Sequence, residues 1–186
     1  MIFKEKQITL KSGSVAVLKT PSVEDAKGML AYITRACGET DFLARYPEEW
    51  ESMSVEREER WIKNLRESNS ALAIACYVDN TIVGNCELTF QSGLKTAHRA
   101  SVAIAILRDY WNLGIGSAMF TELISAAKAN PGIKILELDF IEGNGRARAL
   151  YEKFGFQIVG KRPNAFQLKN GRLLAEYFMQ KELNAK

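Results

Sequence analysis

The sequence predicts an α/β protein with a mixed, largely antiparallel seven-stranded sheet flanked by helices. Apolar segments rich in β-branched residues follow one another in its middle, and short turns such as Asp79-Asn80 and Asn170-Gly171 join neighbouring strands into hairpins. Amphipathic segments with helical spacing interrupt the strands. The order is a hairpin, two helices, three strands, a helix, a strand, a helix and two strands, which is typical of a mixed sheet.

The first half of the chain begins with a hairpin about Ser12-Gly13. Ser22 is placed to cap a first helix, with Asp25 three residues later as in a capping box. The stretch 38–53 reads as irregular, with Pro47 as a breaker. A second, charged helix is predicted over 54–68, capped by its first residue.

The second half alternates strands with two amphipathic helices. We expect these elements in order: strands 71–78, 81–91 and 97–107, helix 116–129, strand 133–141, helix 144–154 ended by Gly155, and a final hairpin about Asn170-Gly171.

The composition is that of an ordinary globular protein, and we expect residues 1–186 to form one domain. Hydrophobic residues make up 47% and charged residues 25%, enough to build a core without disulfides or a structural metal. The three cysteines form no C-x-x-C pair, so we expect a reducing compartment, the cytoplasm, and no metal site. A net charge of +3 is too small to indicate nucleic acid, and no apolar run is long enough for a membrane.

The stretch RDYWNLGIGSAMF (108–120) carries two glycines where a strand passes into a helix. Gly114 and Gly116 let the main chain approach an anion, and the NH groups of 112–117 would face it at a helix N-terminus. A Walker A loop is excluded because no lysine follows the second glycine. A dinucleotide fingerprint is disfavoured because Met119 stands where the third glycine belongs. A helix-start turn without ligand is the alternative.

A second stretch, ELDFIEGNGRARALYEKFGF (137–156), places N-x-R-A-x-A-L-Y-E-K-x-G-F directly after a strand. Together with the glycine loop, it resembles the GNAT superfamily of acetyl-CoA-dependent N-acetyltransferases. The resemblance covers most of the chain in element order. The family's loop pattern is Q/R-x-x-G-x-G/A, and here Trp111 replaces the Gln or Arg.

The resemblance implies how acetyl-CoA would bind as co-substrate, with no metal. Its pyrophosphate would lie on the loop, whose residues are Trp111, Asn112, Leu113, Gly114, Ile115, Gly116 and Ser117. In the family the fourth and fifth strands splay apart, which leaves a strand edge free to accept the pantetheine amides. Here that edge would be the main chain of Ile104, Ala105 and Ile106.

The resemblance also implies roles for two side chains. Asn144 would hydrogen-bond the pantetheine arm, or serve as a helix N-cap, or both. Tyr151 would protonate the departing thiolate as general acid, and its alternative is a core tyrosine. The thioester carbonyl would be polarised by a main-chain NH near Ile106.

The sequence offers two candidates for the general base that would deprotonate the acceptor amine. Some family members carry a glutamate early in the fourth strand, but Arg99-Ala100-Ser101 in this region has no carboxylate. Glu87 and His98 are the candidates. Their structural alternatives are a surface strand residue and a residue that merely begins a strand.

We therefore expect acetyl transfer from acetyl-CoA to a primary amine, of a small molecule or of a protein N-terminus, by direct attack in a ternary complex. The alternative is a non-catalytic acyl-CoA-binding sensor or regulatory module. A nucleotide-binding oxidoreductase is a weaker third interpretation. A homodimer is our hypothesis for the assembly.

The charge distribution predicts a cationic acceptor. The segment 39–59 holds eight acidic and two basic residues, with Phe42, Tyr46 and Trp50 among them. The alternative is a solvated loop and helix. Near the cofactor motifs lie four basic residues that suit the phosphates of CoA: Arg108, Arg146, Arg148 and Lys153.

Overall fold

The computed structural model describes residues 1–183 as one eight-stranded sheet with helices on both faces, in the order β1-β2-β3-β4-β5-β6-β8-β7. The strands are β1 Lys6–Thr9, β2 Val15–Lys19, β3 Ala71–Val78, β4 Thr81–Phe90, β5 Arg99–Ile106, β6 Ile135–Ile141, β7 Gln157–Gln167 and β8 Leu173–Glu182. The α-helices are α1 Ala26–Gly38, α2 Pro47–Glu51, α3 Val55–Glu67, α4 Ile115–Lys128 and α5 Gly145–Lys153.

The α/β class and the largely antiparallel sheet are confirmed, but the sheet has eight strands rather than seven. The predicted order of elements already contains eight strands, because the N-terminal hairpin about Ser12-Gly13 supplies two of them: β1 pairs there antiparallel with β2 over four residues. Parallel pairing occurs only between β5 and β6 in the described part of the chain.

The predicted hairpin turn at Asp79-Asn80 is confirmed. The two residues have φ angles of 47° and 60°, which is the geometry of a tight turn between strands that twist in the usual sense. The resulting β3–β4 hairpin lies at the centre of the sheet and carries Asn85 and Glu87 on β4.

Pro47 begins a helix instead of ending structure, so the prediction of an irregular 38–53 stretch is wrong at this point. Its fixed φ and missing NH suit the first position of α2, where no intrahelical acceptor exists for that NH. Glu49 completes the helix start by accepting a 2.9 Å hydrogen bond from the main-chain NH of Tyr46.

Strands β5 and β6 are the fourth and fifth strands of the family pattern, and they separate along their length as that resemblance implies. They pair at three positions only, from Arg99 opposite Ile135 to Ser101 opposite Glu137. At this closed end, Arg99 Nε donates to Glu137 at 2.8 Å and Ser101 Oγ donates to the same carboxylate at 3.2 Å. Beyond it, β6 remains paired with β8, and a gap opens beside β5.

The hydrogen bonds of β5 show which main-chain groups face this gap. Leu107, directly after β5, donates its NH to the carbonyl of Val83 in β4 at 2.9 Å, whereas the carbonyl of His98, directly before β5, accepts from the NH of Ile135 in β6 at 3.1 Å. Because the direction alternates along a strand, even-numbered residues of β5 turn their NH and carbonyl groups away from β4. Ile104 and Ile106 therefore direct their main-chain groups into the gap, while Ala105 pairs with Asn85.

Candidate active site

The glycine loop presents a run of unpaired main-chain donors. Gly114 has a φ of 100° and Asn112 a φ of 62°, and this alternation turns successive NH groups toward one side. The first intrahelical bond of α4 joins Ala118 NH to the Gly114 carbonyl at 3.0 Å. Within residues 1–183 the six NH groups of 112–117 donate to no acceptor, so they are free for an anion at a helix N-terminus.

The two glycines of the loop meet different requirements. A Cβ on Gly114 would meet no atom within 4 Å, so a side chain there would project into the open space in front of the helix. A Cβ on Gly116 would lie 3.0 Å from Leu150 Cδ2 and 3.5 Å from Ile106 Cδ1. Gly114 thus keeps the loop open and permits its left-handed conformation, whereas Gly116 lets α4 pack against α5 and β5.

Trp111, which replaces the family's Gln or Arg, supports a cation. Its indole Nε1 donates to the Ile106 carbonyl at 2.7 Å, which fixes the ring. The Arg146 guanidinium stacks on the ring and that of Arg108 lies 5.5 Å from its centroid. Burial and the neighbouring Arg108 lower the pKa of Arg146.

The cations beside the loop have no carboxylate partners within the described residues. Arg108 and Arg146 form no ion pair, and Lys153 donates only to Ser117 Oγ, at 3.1 Å. Arg148 differs, because Glu152 neutralises it at 2.8 Å. Unpaired like charges at one place indicate that an anion belongs among them.

The second motif brings Asn144 and Tyr151 to α5. Asn144 Oδ1 accepts from Ala147 NH at 3.2 Å, so Asn144 is the N-cap of α5, the alternative role that the sequence suggested. Tyr151 is only 6% exposed and packs on Phe120, with ring centroids 5.4 Å apart. Burial, and secondarily the Asp139 carboxylate, raise the pKa of Tyr151, so its hydroxyl stays protonated as an acid requires.

A cavity of about 460 Å³ lies between α1, the α2–α3 region and the central strands. One side of it is formed by β5 at Ala103, Ile104 and Ala105. The hydroxyl of Tyr32, on α1, donates to the Ala105 carbonyl at 2.7 Å and holds this side together. The remaining apolar walls are Met29, Ile33, Leu43, Trp50, Met53 and Trp61.

Two carboxylates, Glu58 and Glu87, line this cavity. Burial raises the pKa of Glu87, against a 3.2 Å hydrogen bond from Asn85 Nδ2 that lowers it. Glu58 is 9% exposed, and burial together with the charge of Glu87 raises its pKa to about 7. Asn85 Oδ1 is buried without a hydrogen-bond partner in the described chain.

His98 is not brought to this cavity. It precedes β5 at the closed end of the splay, where its carbonyl accepts from Lys134 NH at 2.8 Å. Ala103 lies five residues further on, or roughly 17 Å along an extended strand. Of the two base candidates, only Glu87 lines the cavity.

Two carboxylates of the acidic segment, Glu39 and Glu48, are compensated by cations of the protein itself. Glu39 accepts from Arg35 Nε at 2.8 Å and from the main-chain NH of Arg108 at 2.6 Å. Glu48 pairs with Lys169 at 2.6 Å. These carboxylates line a separate cavity of about 480 Å³, not the one that contains Glu87.

Two of the three aromatic rings of the same segment, those of Tyr46 and Trp50, already have a cation of this chain on one face. Lys169 Nζ lies 4.5 Å from the Tyr46 ring centroid, and the Arg45 guanidinium lies 4.9 Å from that of Trp50. These faces were expected to receive an acceptor cation, but side chains of this chain already cover them.

Glu58 was missed as a site residue because it was counted among the acids of a solvated segment. Its spacing contained the signal: Glu58 precedes Trp61, Ile62 and Leu65 by three, four and seven residues, which places it on the buried stripe of α3. An acid on an apolar stripe indicates a buried carboxyl group.

No helix among residues 1–183 is long and apolar enough to cross a membrane. The same residues contain no group of three or more side chains arranged to hold a metal ion.

Comparison with known proteins agrees with this geometry. Residues 39–156 match the model of the acetyltransferase (GNAT) family. An L-amino acid N-acetyltransferase of Escherichia coli, AaaT, is 25% identical over 119 residues, which are 64% of this chain and 73% of that protein.

Solved structures share the fold over nearly the whole chain. A GNAT acetyltransferase of Streptococcus pneumoniae superimposes with a TM-score of 0.83 at 25% identity, covering 90% of this chain and 99% of that one. Salmonella typhimurium yncA, described as a candidate acetyltransferase and solved with its cofactor acetyl-CoA, gives a TM-score of 0.77 at 14% identity, covering 92% and 95%.

The raised pKa of Glu58 predicts a pH-dependent loss of stability. Between pH 4.5, its ordinary pKa, and about pH 7, the folded protein keeps a proton that the unfolded chain has released. The free energy of unfolding should therefore fall as pH rises through this window, by on the order of 2–3 kcal/mol at most. Urea unfolding at pH 5 and pH 8 measures this loss.

Glu58→Gln should remove most of that dependence and be the more stable protein at pH 8. Glu59→Gln, one position along the same helix, is the matched control. A wild-type stability that stays level or rises from pH 5 to pH 8, with no change in Glu58→Gln, would contradict the prediction.

Proposed function

The chain belongs to the acetyltransferase (GNAT) family and transfers acetyl groups from acetyl-CoA, and we propose that its acceptor is a primary amine, of a small molecule or of a protein N-terminus. The amine attacks the thioester directly in a ternary complex. The observation that carries the proposal is the position of Ile104, which lines the carboxylate cavity and directs its main-chain groups into the strand gap. The two substrates would meet there.

The cofactor phosphates bind at the glycine loop in this proposal. The free NH groups of 112–117 and the unpaired Arg108, Arg146 and Lys153 fit a pyrophosphate in both hydrogen bonding and charge. The pantetheine arm follows β5, where Ile104 offers its main-chain NH and carbonyl and Ile106 offers its NH, since the Ile106 carbonyl already accepts from Trp111. Ala105 contributes only its position, since its carbonyl already accepts from Tyr32.

The cavity side chains prepare the amine. An alkyl amine with a pKa near ~10 is almost entirely protonated at neutral pH, so a base must remove a proton before attack. Glu87 is assigned this role. Burial raises the pKa of Glu87 and so strengthens it as a base.

The other side of the gap supports bond cleavage. Bound acetyl-CoA supplies an acyl group that is already activated, so no covalent attachment to the protein is required. The Ile106 NH is assigned to the thioester carbonyl and Tyr151 to the leaving sulfur. Holding both substrates along one strand supplies much of the rate, up to ~7–11 kcal/mol in intramolecular reactions.

The Escherichia coli relative is named for L-amino acids, and this name supports a small-molecule amine. The second candidate function, a non-catalytic acyl-CoA-binding module, would use the loop alone. The buried carboxylate pair of Glu58 and Glu87 favours catalysis, because a binding module has no need of a cavity with a base.

Amine-dependent release of CoA thiol tests the proposal. We expect release on addition of acetyl-CoA and an amine from a panel of amino acids, alkyl amines and short peptides. Tyr151→Phe should lower kcat by about 10²-fold or more, as loss of a general acid does, with little change in acetyl-CoA affinity. Tyr110→Phe is the control. No release with any amine would favour the binding module, and unchanged kcat in Tyr151→Phe would leave this residue as a core tyrosine.

Gly114→Val should weaken acetyl-CoA binding by at least tenfold. The valine would project into the space before α4 and would strain a residue whose φ is 100°. Isothermal calorimetry on the folded variant, checked by circular dichroism, measures the change. Gly171→Val, at an equally positive φ of 83° in the β7–β8 turn, controls for backbone strain. Wild-type affinity in Gly114→Val would contradict binding at the loop.

Glu87→Gln should abolish the acidic limb of the pH dependence of kcat/KM, because this limb reports the protonation of the base. His98→Gln is the matched comparison and should leave the profile unchanged. A wild-type pH profile in Glu87→Gln would refute the assignment of Glu87 as the base. Loss of the limb in His98→Gln would transfer the role to that residue.

A further inference from the structure

We infer that the acceptor carries an anionic group as well as its amine, and that Arg45 and Arg57 hold this group, so that the substrate is an amino carboxylate with an apolar body. The inference rests on the proposed function and names the substrate class of the same cavity. It separates a free amino acid from a protein N-terminus, whose carboxyl group is part of a peptide bond.

The cavity that contains Glu58 and Glu87 also contains two guanidinium groups. Arg45, from the segment before α2, and Arg57, from the first turn of α3, both line it. Among residues 1–183 neither lies within 4 Å of a carboxylate oxygen as an ion pair. The cavity thus has cationic groups that the protein itself leaves uncompensated.

The carboxylates and the guanidinium groups occupy different parts of the cavity. A guanidinium close to a carboxylate would lower its pKa, but the pKa values of Glu58 and Glu87 are both raised by burial. No ion pair joins either arginine to Glu58 or Glu87, so the guanidinium groups stand apart from the carboxylates. A ligand with an ammonium group and a carboxylate matches both parts at once.

Local structure fixes the side chain of Arg45 and the main chain of Arg57. Arg45 stacks on Trp50, which limits the directions that its guanidinium can take. The main chain of Arg57 is fixed at the helix N-cap, where its NH donates to Ser54 Oγ at 3.3 Å, and its exposed side chain extends from there. The planar guanidinium fork suits bidentate binding of a carboxylate, and arginine keeps its charge at every accessible pH.

The space between the two charged parts is apolar. Its walls are Met29, Ile33, Leu43, Met53 and Trp61. Apolar walls favour an aliphatic, aromatic or thioether side chain over a polar one, since a polar group there would lose its hydrogen bonds to water. Met side chains adapt to several shapes, so we expect a group of related side chains.

The same observations argue against selection by positive charge alone. Two carboxylates of the acidic segment, Glu39 and Glu48, pair with Arg35 and Lys169 and line the other cavity. A purely cationic amine would meet Arg45 and Arg57 at the site itself and would be repelled.

Matched acceptors test the inference. Each set comprises an amino acid, its amide and the amine that lacks the carboxyl group: for leucine, these are L-leucine, L-leucinamide and 3-methylbutylamine. Equivalent sets are made for alanine, methionine and phenylalanine, with 4-aminobutyrate and a polyamine added. We expect the acid to exceed its amide in kcat/KM by tenfold or more in at least one set. Intrinsic reactivity predicts the opposite, because the amine of the amide loses its proton more easily.

Arg45→Gln and Arg57→Gln should each reduce the acid-to-amide ratio by about tenfold, as the loss of a charged hydrogen bond does. The loss should appear mainly in KM for the acid and should exceed any change in kcat/KM for the amide. Arg60→Gln, exposed on α3 and outside the cavity, should leave the ratio as it is.

The outcomes separate this inference from the proposed function. Amides, alkyl amines or the polyamine preferred over the acids, or ratios unchanged in both arginine variants, would overturn the inference while acetylation itself stands. Absence of acetylation with every amine, in a protein that still binds acetyl-CoA by calorimetry, would overturn the proposed function as well.

Discussion

The parting of β5 from β6 is the constraint on which the site depends. Hydrogen bonds from Arg99 and Ser101 to Glu137 hold the two strands at one end, and the parallel pairing stops at the same point. Because β6 continues its pairing with β8, the separation leaves β5 with one free edge. An unpaired strand edge inside a sheet exposes NH and carbonyl groups that require partners, and this edge leads from the carboxylate cavity to the glycine loop.

The loop illustrates how one substitution in a family pattern is compensated by neighbours. The family has Gln or Arg at its first position, and this chain has Trp111. The indole donates to the Ile106 carbonyl and carries the Arg146 guanidinium on its face, so a cation still stands beside the free NH groups. The cationic side chain thus comes from α5, another part of the sequence, and the main-chain donors of the loop are unaffected.

Several site residues also maintain the fold. Tyr151 packs within an aromatic cluster with Phe120, Phe140 and Phe156, and Asn144 caps α5. Such residues place a reactive group accurately because packing fixes their rotamers. The carboxyl group of Glu58 has the opposite effect on stability, since burial beside Glu87 disfavours its charged form. Packing and charge therefore act against each other within one cavity, as is common where binding groups must be held away from water.

The sequence by itself predicted most of the elements and the proposed cofactor side of the protein. Local signals predicted the Asp79-Asn80 turn, the Ser54 cap and the glycine loop, because each depends on residues a few positions apart. Only the tertiary structure decided the acceptor side. Glu87, Glu58 and Arg45 come from a strand, a helix and a connecting segment, and their meeting in one cavity depends on contacts between distant parts of the chain. The ion pair of Glu48 with Lys169 spans 121 residues, so the formal charge of the acidic segment could not show how much of it is neutralised.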